Sequence, residues 1–420
     1  MDKFVINGGR KISGSIINDG SKNAALPIIV GSLLIEKGEV VLENIPPLRD
    51  IRTISAVLEH LGAKIDYDDK AMKMVIDSSG INKDMAPYEL MRKMRASFLV
   101  LGPLLARLGQ ARVSLPGGCN IGARPVDYHI AGFAELGAEI KVESGYVIAK
   151  ARPLKGAVIH FDKPSHTGTE NLIFGAVLAE GTTQIINAAC DPEVVDVANF
   201  LIAAGAKISG AGTSTVHIEG VKKLKPVFHR VSGDRLVAGT FMSAAAITGG
   251  NVKVVGVDPS HLTMVSRKLY EMGCKITESK DSIEISGPKK LKPIKVVTYP
   301  YPGFPTDLQP CFIAMATVAS GTSHIRETIY EDRLRHTMEL KRLGADIAIT
   351  SDEAAINGVD TLKGASVMAS DIRAGAGLVI ACLAATGTSD LLRVYHIDRA
   401  YYQIEEKLSS LGADIKRESE

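Results

Sequence analysis

Much is missing from this chain of 420 residues, and each absence closes off a class of function. There is no excess of charge of one sign: 49 lysines and arginines face 47 aspartates and glutamates, a net +2. No global field recruits nucleic acid or a membrane surface, so any anion binding must be local. The five cysteines, at 119, 190, 274, 311 and 382, lie far apart without a CxxC pair. The histidines show no ligand spacing either, so neither a disulfide framework nor a metal site is expected. The longest apolar runs, such as residues 374–385, are too short and too rich in Gly and Ala to span a bilayer. The first ten residues, MDKFVINGGR, lack the apolar core of a secretion signal and read as a strand and a turn. The expected location is the cytoplasm.

What the chain does have is repetition. Hydrophobic residues make up 45% and charged residues 23%, an ordinary globular balance with length for two or more domains. Helix-like segments end six times in a near-identical tripeptide: Leu61-Gly62-Ala63, Leu136-Gly137-Ala138, Ala204-Gly205-Ala206, Met272-Gly273-Cys274, Leu343-Gly344-Ala345 and Leu411-Gly412-Ala413. The glycines are 75, 68, 68, 71 and 68 residues apart. Each stands where the residue after a helix takes the left-handed conformation, ahead of a short alternating segment such as Lys64-Ile65-Asp66. Half a period away, in most copies, lies an apolar, Ala-rich helix followed by Gly and a β-branched run. Examples are residues 23–36 before Gly38, 169–179 before Gly181, 307–319 before Gly321 and 372–385 before Gly387. Apolar nearly all round, these helices are of the kind buried inside a domain. Partners such as residues 335–343 and 402–411 carry charge on one face.

The expectation is two domains of three units each, helices inside and sheets outside. The N-terminal strand at residues 3–6 needs a partner sheet and is expected to join the second domain. That places the first domain at residues 22–230 and the second at residues 1–21 with 231–420. The chain would cross near 18–22 and again near 229–233. A cleft between domains is where small ligands usually bind.

The most informative local chemistry is Leu115-Pro-Gly-Gly-Cys119-Asn-Ile-Gly-Ala-Arg124-Pro-Val-Asp127. Glycines let a backbone turn and approach a ligand, a cationic neighbour favours the thiolate, and an Arg fork suits phosphate or carboxylate. Cys119 reads either as a reactive thiol or as a small buried hydrophobe. Lys22, Arg95 and Arg373 recur at the mouths of apolar helices, where free N–H groups and the macrodipole already favour anions. Asp307, in Phe304-Pro-Thr-Asp307-Leu-Gln309, reads either as a helix N-cap or as a functional carboxylate. Glu331-Asp-Arg333 and His396-Ile-Asp-Arg399 read as site residues or as surface ion pairs of small energetic value.

These segments together resemble the enolpyruvyl transferases, in particular the branch whose acceptor is UDP-N-acetylglucosamine. The resemblance runs from Lys3 to the C-terminus. It rests on the Cys119 loop and on Ser21-Lys22-Asn23-Ala-Ala-Leu-Pro27, Met94-Arg95-Ala-Ser97, Phe304–Gln309, Glu327–Arg333, Asp371-Ile-Arg373-Ala and His396–Arg399. The cysteine loop separates this branch from the 5-enolpyruvylshikimate-3-phosphate synthases, which share the architecture. The implied fold is a two-domain inside-out (inverse) α/β barrel of six βαβαββ-like units, with the active site in the cleft between domains. The implied reaction moves the enolpyruvyl group of phosphoenolpyruvate to the 3′-hydroxyl of UDP-N-acetylglucosamine and releases phosphate, the first committed step of peptidoglycan precursor synthesis. No cofactor is implied.

The same resemblance assigns roles. Cys119 would be the general acid, form the phospholactoyl adduct, and be the target of the epoxide fosfomycin. Asp307 would position or deprotonate the sugar hydroxyl. Lys22, Asn23, Arg124, Arg399, Arg333 and Arg373 would hold phosphoenolpyruvate. The nucleotide sugar would meet Asn23, Arg95, Arg124, Pro125, Val126, Asp127, Tyr128, Lys163, Ser165, His166, Asp307 and Ile329. The chain departs from the family where the usual Ser-Val-Gly-Ala-Thr reads Ser165-His166-Thr167-Gly168-Thr169. His166 there either gives a diphosphate a cationic partner or alters local packing. Two smaller departures, Ala400 after Arg399 and Gly375 after Ala374, keep the arginines. A different acceptor, either another nucleotide sugar or shikimate 3-phosphate, and a silent sugar-nucleotide sensor are the rival expectations.

Overall fold

The computed structural model describes residues 2–92, 94–115 and 126–419. The repeated tripeptide closes the helices Arg49–Leu61, Asp127–Glu135, Pro192–Ala203, Thr263–Glu271, Thr337–Arg342 and Ile404–Ser410. The six glycines that follow them have φ between +86° and +114°, a region costly for any residue with a Cβ. Helix Arg49–Leu61 shows how the pattern works. Ile51, Ile54, Leu58 and Leu61 recur at helical spacing and are buried, while Arg52 beside them is exposed. The N–H groups of Gly62 and Ala63 then turn back onto the Leu58 carbonyl at 3.1 and 3.0 Å, satisfying an orphan acceptor.

The other helix of each unit is buried along most of its length. These helices are Lys22–Gly31, Leu101–Leu108, His166–Ala176, Arg235–Thr248, Gln309–Ala316 and Ile372–Ala384. In the last, every residue from Arg373 to Leu383 is buried. Their starts differ from the sequence expectation for local reasons. The third begins at His166 rather than 169 because Ser165 caps it, accepting from Gly168 N at 3.1 Å. The fifth begins with a 3-10 turn, Thr306–Leu308, ahead of Gln309–Ala316.

Six separate four-stranded sheets share one order. A short first strand lies parallel to the second, across a buried helix. The second pairs antiparallel with the fourth, which pairs antiparallel with the third, as a hairpin in five of the six sheets. Val158–His160, Thr182–Ile186, Lys207–Ser209 and Thr215–Glu219 form one such set. Each sheet is open, with two edge strands, and three of them fall in each of two compact units.

The described residues fall into two compact units, one of residues 2–19 with 233–419, the other of residues 20–115 with 126–232. Each is completed by a strand from far along the chain. In the first, Asp2–Asn7 lies between Thr388–Leu392 and Asp414–Ser419, and Ser13–Ile17 pairs parallel with Asn251–Val255. In the second, Phe228–Arg230 pairs parallel with Glu39–Glu43. At the two crossing points stand glycines with no room for a side chain. A Cβ on Gly20 would lie 1.7 Å from the Asn44 carbonyl oxygen, and one on Gly233 would lie 1.9 Å from that of Gly256. Among the described residues no helix is long and apolar enough to cross a membrane.

Candidate active site

In the unit of residues 2–19 and 233–419, three expected site residues converge. The 3-10 turn Thr306–Leu308 carries Asp307, whose Oδ1 lies 2.9 Å from Arg333 Nη2 and whose Oδ2 lies 2.9 Å from Arg373 Nε. The helix-start positions nearby are Pro305 and Leu308, so the N-cap alternative falls away. Both arginines are buried, with only 4% of their surface exposed, which excludes the surface-pair reading of Arg333. Burial works against charge on Arg373, but Tyr401, Asp307 and Asp234 outweigh it and hold the guanidinium's pKa above its usual range. Tyr401 Oη accepts from Arg373 Nη1 at 3.0 Å, and burial pushes its own pKa up to about 12.

A buried carboxylate organises the neighbouring loop. Glu327 accepts from Thr306 Oγ1 at 2.8 Å, Thr298 Oγ1 at 2.9 Å, and the backbone N–H groups of Ile329 and Tyr330. It thereby ties the turn bearing Asp307 to the segment bearing Ile329. Arg399 ends the 3-10 helix Val394–Arg399, half-buried, and its neighbour Asp398 is held by Arg417 at 2.6 and 3.0 Å.

In the other unit, Lys22 opens its helix while 93% buried, and its Nζ lies 3.4 Å from Asp50 Oδ2. A cation at a helix N-terminus opposes the macrodipole, and Asp50 offsets that conflict. Asn23 follows, half-buried, and Arg95 opens the 3-10 helix Arg95–Val100. Behind it His129 is driven down to a pKa of about 3 by burial, with the charge of Arg95 adding to the shift. Asn171 fixes the tautomer: its Oδ1 accepts from Gly102 N at 2.8 Å, so its amide nitrogen faces His129 Nδ1 at 2.9 Å. The imidazole proton is thereby assigned to Nε2.

Val126 is buried, Asp127 exposed, and Tyr128 packs on Phe161 with ring centroids 5.1 Å apart. These two aromatics line a cavity of about 290 Å³ with Glu135, Val158 and His160. Lys163 is exposed just beyond it. His166 turns to carboxylates, with Nε2 at 3.1 Å from Glu170 Oε1 and Nδ1 at 3.9 Å from Asp191 Oδ1. Burial disfavours the imidazolium, but Glu170, Asp191 and Glu193 together raise its pKa to about 10. The ligand atoms of His166, Asp191 and Glu193 lie within 4.8 Å of one another, a grouping the sequence did not announce. Cys119, Arg124 and Pro125 lie outside the described residues.

Residues 6–408 match the family described as EPSP synthase (3-phosphoshikimate 1-carboxyvinyltransferase). The chain belongs to this family. Relatives within it include a UDP-N-acetylglucosamine 1-carboxyvinyltransferase of Desulfosudis oleivorans, 51% identical over 417 residues and 99% of each chain. Another of that name, from Geotalea daltonii, is 50% identical over 420 residues and all of both chains. The crystal structure of the enolpyruvyl transferase NikO from Streptomyces tendae shares the fold, with a TM-score of 0.89 at 23% identity, covering 99% of this chain and 98% of that one. An EPSP synthase from Acinetobacter baumannii gives 0.78 at 19% identity over the whole of both chains.

Several residues of this family member were not legible as site residues. Asp50 meets Lys22 from 28 positions away, and no spacing rule predicts that. Tyr401 did carry a signal, standing two residues beyond Arg399 in a segment already singled out.

Proposed function

We propose that the protein transfers the enolpyruvyl group of phosphoenolpyruvate to the 3′-hydroxyl of UDP-N-acetylglucosamine in the cytoplasm, releasing phosphate. The observation that carries this reading is the identity of half of the residues, over essentially the whole chain, with enzymes of that name. The chemistry of the described residues supports it. The addition step needs a proton on the vinyl CH2 carbon, a hydroxyl stripped of its proton, and positive charge around a phosphate and a carboxylate. Loss of phosphate together with one proton of the new methyl group then regenerates the vinyl group on the new oxygen. Cys119 supplies the proton to carbon in this reading, and Asp307 receives the one from the hydroxyl.

An ordinary carboxylate is a weak base toward an alcohol, and two guanidinium partners weaken Asp307 further. An arriving anion changes that balance. The substrate's carboxylate or phosphate competes for Arg333, and a donor drawn away from Asp307 strengthens it as a base. Lys22, with its long contact to Asp50, likewise offers a buried cation to a phosphate. Arg124 and Arg399 complete the anion-binding set in this reading.

The test is phosphate release from phosphoenolpyruvate, with UDP-N-acetylglucosamine and shikimate 3-phosphate offered separately, in wild type and Cys119→Ala. Release with the nucleotide sugar alone, lost in the variant, supports both the reaction and the acid. Release with shikimate 3-phosphate instead, or with neither, overturns the assignment of the acceptor.

A further inference from the structure

We infer that Tyr401 is a positioning residue for Asp307, acting through Arg373, with its own direction set by Thr240. Hydrogen-bond bookkeeping carries the inference. Thr240 Oγ1 donates to the Leu236 carbonyl at 2.9 Å. A hydroxyl has one proton, so toward Tyr401 Oη at 3.0 Å the threonine oxygen acts only as acceptor. The Tyr401 proton is thus committed to Thr240, and its oxygen is left to accept from Arg373 Nη1 at 3.0 Å. A guanidinium is planar, so holding Nη1 aims Nε, and Nε is the donor to Asp307 Oδ2 at 2.9 Å. The chain runs one way, from Arg373 through Tyr401 and Thr240 to a backbone carbonyl in the helix Arg235–Thr248. Tyr401 is 98% buried and keeps its proton at any working pH.

The other arginine on Asp307 has no such anchor. Arg333 Nε and Nη1 are buried without hydrogen-bond partners among the described residues. The two arginines therefore divide the work. Arg373 is locked and orients the carboxylate, whereas Arg333 holds unspent donors for an incoming anion.

This rests on the reading that Asp307 acts at the acceptor hydroxyl, and the test separates the two. In Tyr401→Phe, kcat is expected to fall roughly tenfold, with little change in the KM for UDP-N-acetylglucosamine. The acidic limb of the kcat–pH profile should move to higher pH, because the carboxylate loses a fixed cationic donor. Thr240→Val should move the limb the same way, and Thr240→Ser, which keeps the hydroxyl, should restore it. Wild-type kcat with an unmoved limb in Tyr401→Phe overturns the inference, as does identical behaviour of Thr240→Val and Thr240→Ser. Should Tyr401→Phe fail to fold, the Thr240 pair decides alone. Asp307→Asn tests the underlying reading. If that variant stays active, the role of Asp307 falls and the inference with it. If it is inactive while the Tyr401 and Thr240 variants behave as wild type, only the positioning role falls.

Discussion

Asp307 Oδ2 accepts the Nε–H of Arg373 at 2.9 Å across 66 residues of sequence. The same guanidinium reaches Tyr401 through Nη1, a two-point hold that only a planar fork achieves. Arg373→Lys keeps the charge and loses the fork. The expected result is a fall in kcat/KM for phosphoenolpyruvate of roughly a hundredfold, the size of two charge-assisted hydrogen bonds weakened together. Steady-state kinetics at constant ionic strength check it, and activity within a factor of two of wild type would show that charge alone suffices.

Fosfomycin should alkylate Cys119 in preference to the other four thiols, and faster with UDP-N-acetylglucosamine present. Burial pushes Cys274, Cys311 and Cys382 up to about 12 and raises Cys190, so none of these is a ready thiolate near neutral pH. Mass spectrometry of the labelled protein identifies the site. Labelling elsewhere, or no acceleration by the sugar nucleotide, would contradict the assignment.

His129 should remain neutral with its proton on Nε2 wherever the protein is folded. Its value of about 3 lies below the ordinary 6.5. Between those values the unfolded chain binds a proton that the folded chain refuses. The stability that follows is intact above pH 6.5 and is lost as the pH falls toward 3. Imidazole nitrogen shifts measured from pH 8 to 5 should show a single unchanging tautomer, and titration of His129 near 6.5 would refute the burial argument.

His166 should behave in the opposite sense. With its value raised to about 10, its contribution to stability is complete below pH 6.5 and disappears as the pH climbs through 10. Unfolding curves for wild type and His166→Val should therefore converge at high pH and separate near neutrality. Parallel curves across that window would mean that the carboxylates around His166 do not hold its proton.

Gly20→Ala should destabilise the fold by about 3 kcal/mol or more, the upper end for forcing an extra methyl into packed structure. The methyl would meet the backbone oxygen of Asn44 at 1.7 Å, and Asn44 itself is pinned by donating to the Val231 carbonyl at 2.9 Å. A drop of several degrees in Tm is the expected reading. A variant as stable as wild type would show that the crossing segment shifts freely.

The repeat was readable because it is written in local chemistry. A glycine after an amphipathic helix, or an apolar helix before a glycine, needs no distant partner to be recognised, and the motifs around Lys22, Arg95, Asp307 and Arg373 sit beside those signals. The sequence by itself determined the six helix pairs, the α/β class and the family. Tertiary structure alone decided which alternatives hold at single residues. Asp307 faces two buried arginines instead of capping a helix, and Arg333 is an interior cation rather than half of a surface pair. His166 is wrapped by carboxylates drawn from two helices. Each of those outcomes depends on burial and on partners dozens of residues away. Pairing energies between charges change severalfold with desolvation, and no pattern confined to neighbouring residues reports how deeply a side chain is buried.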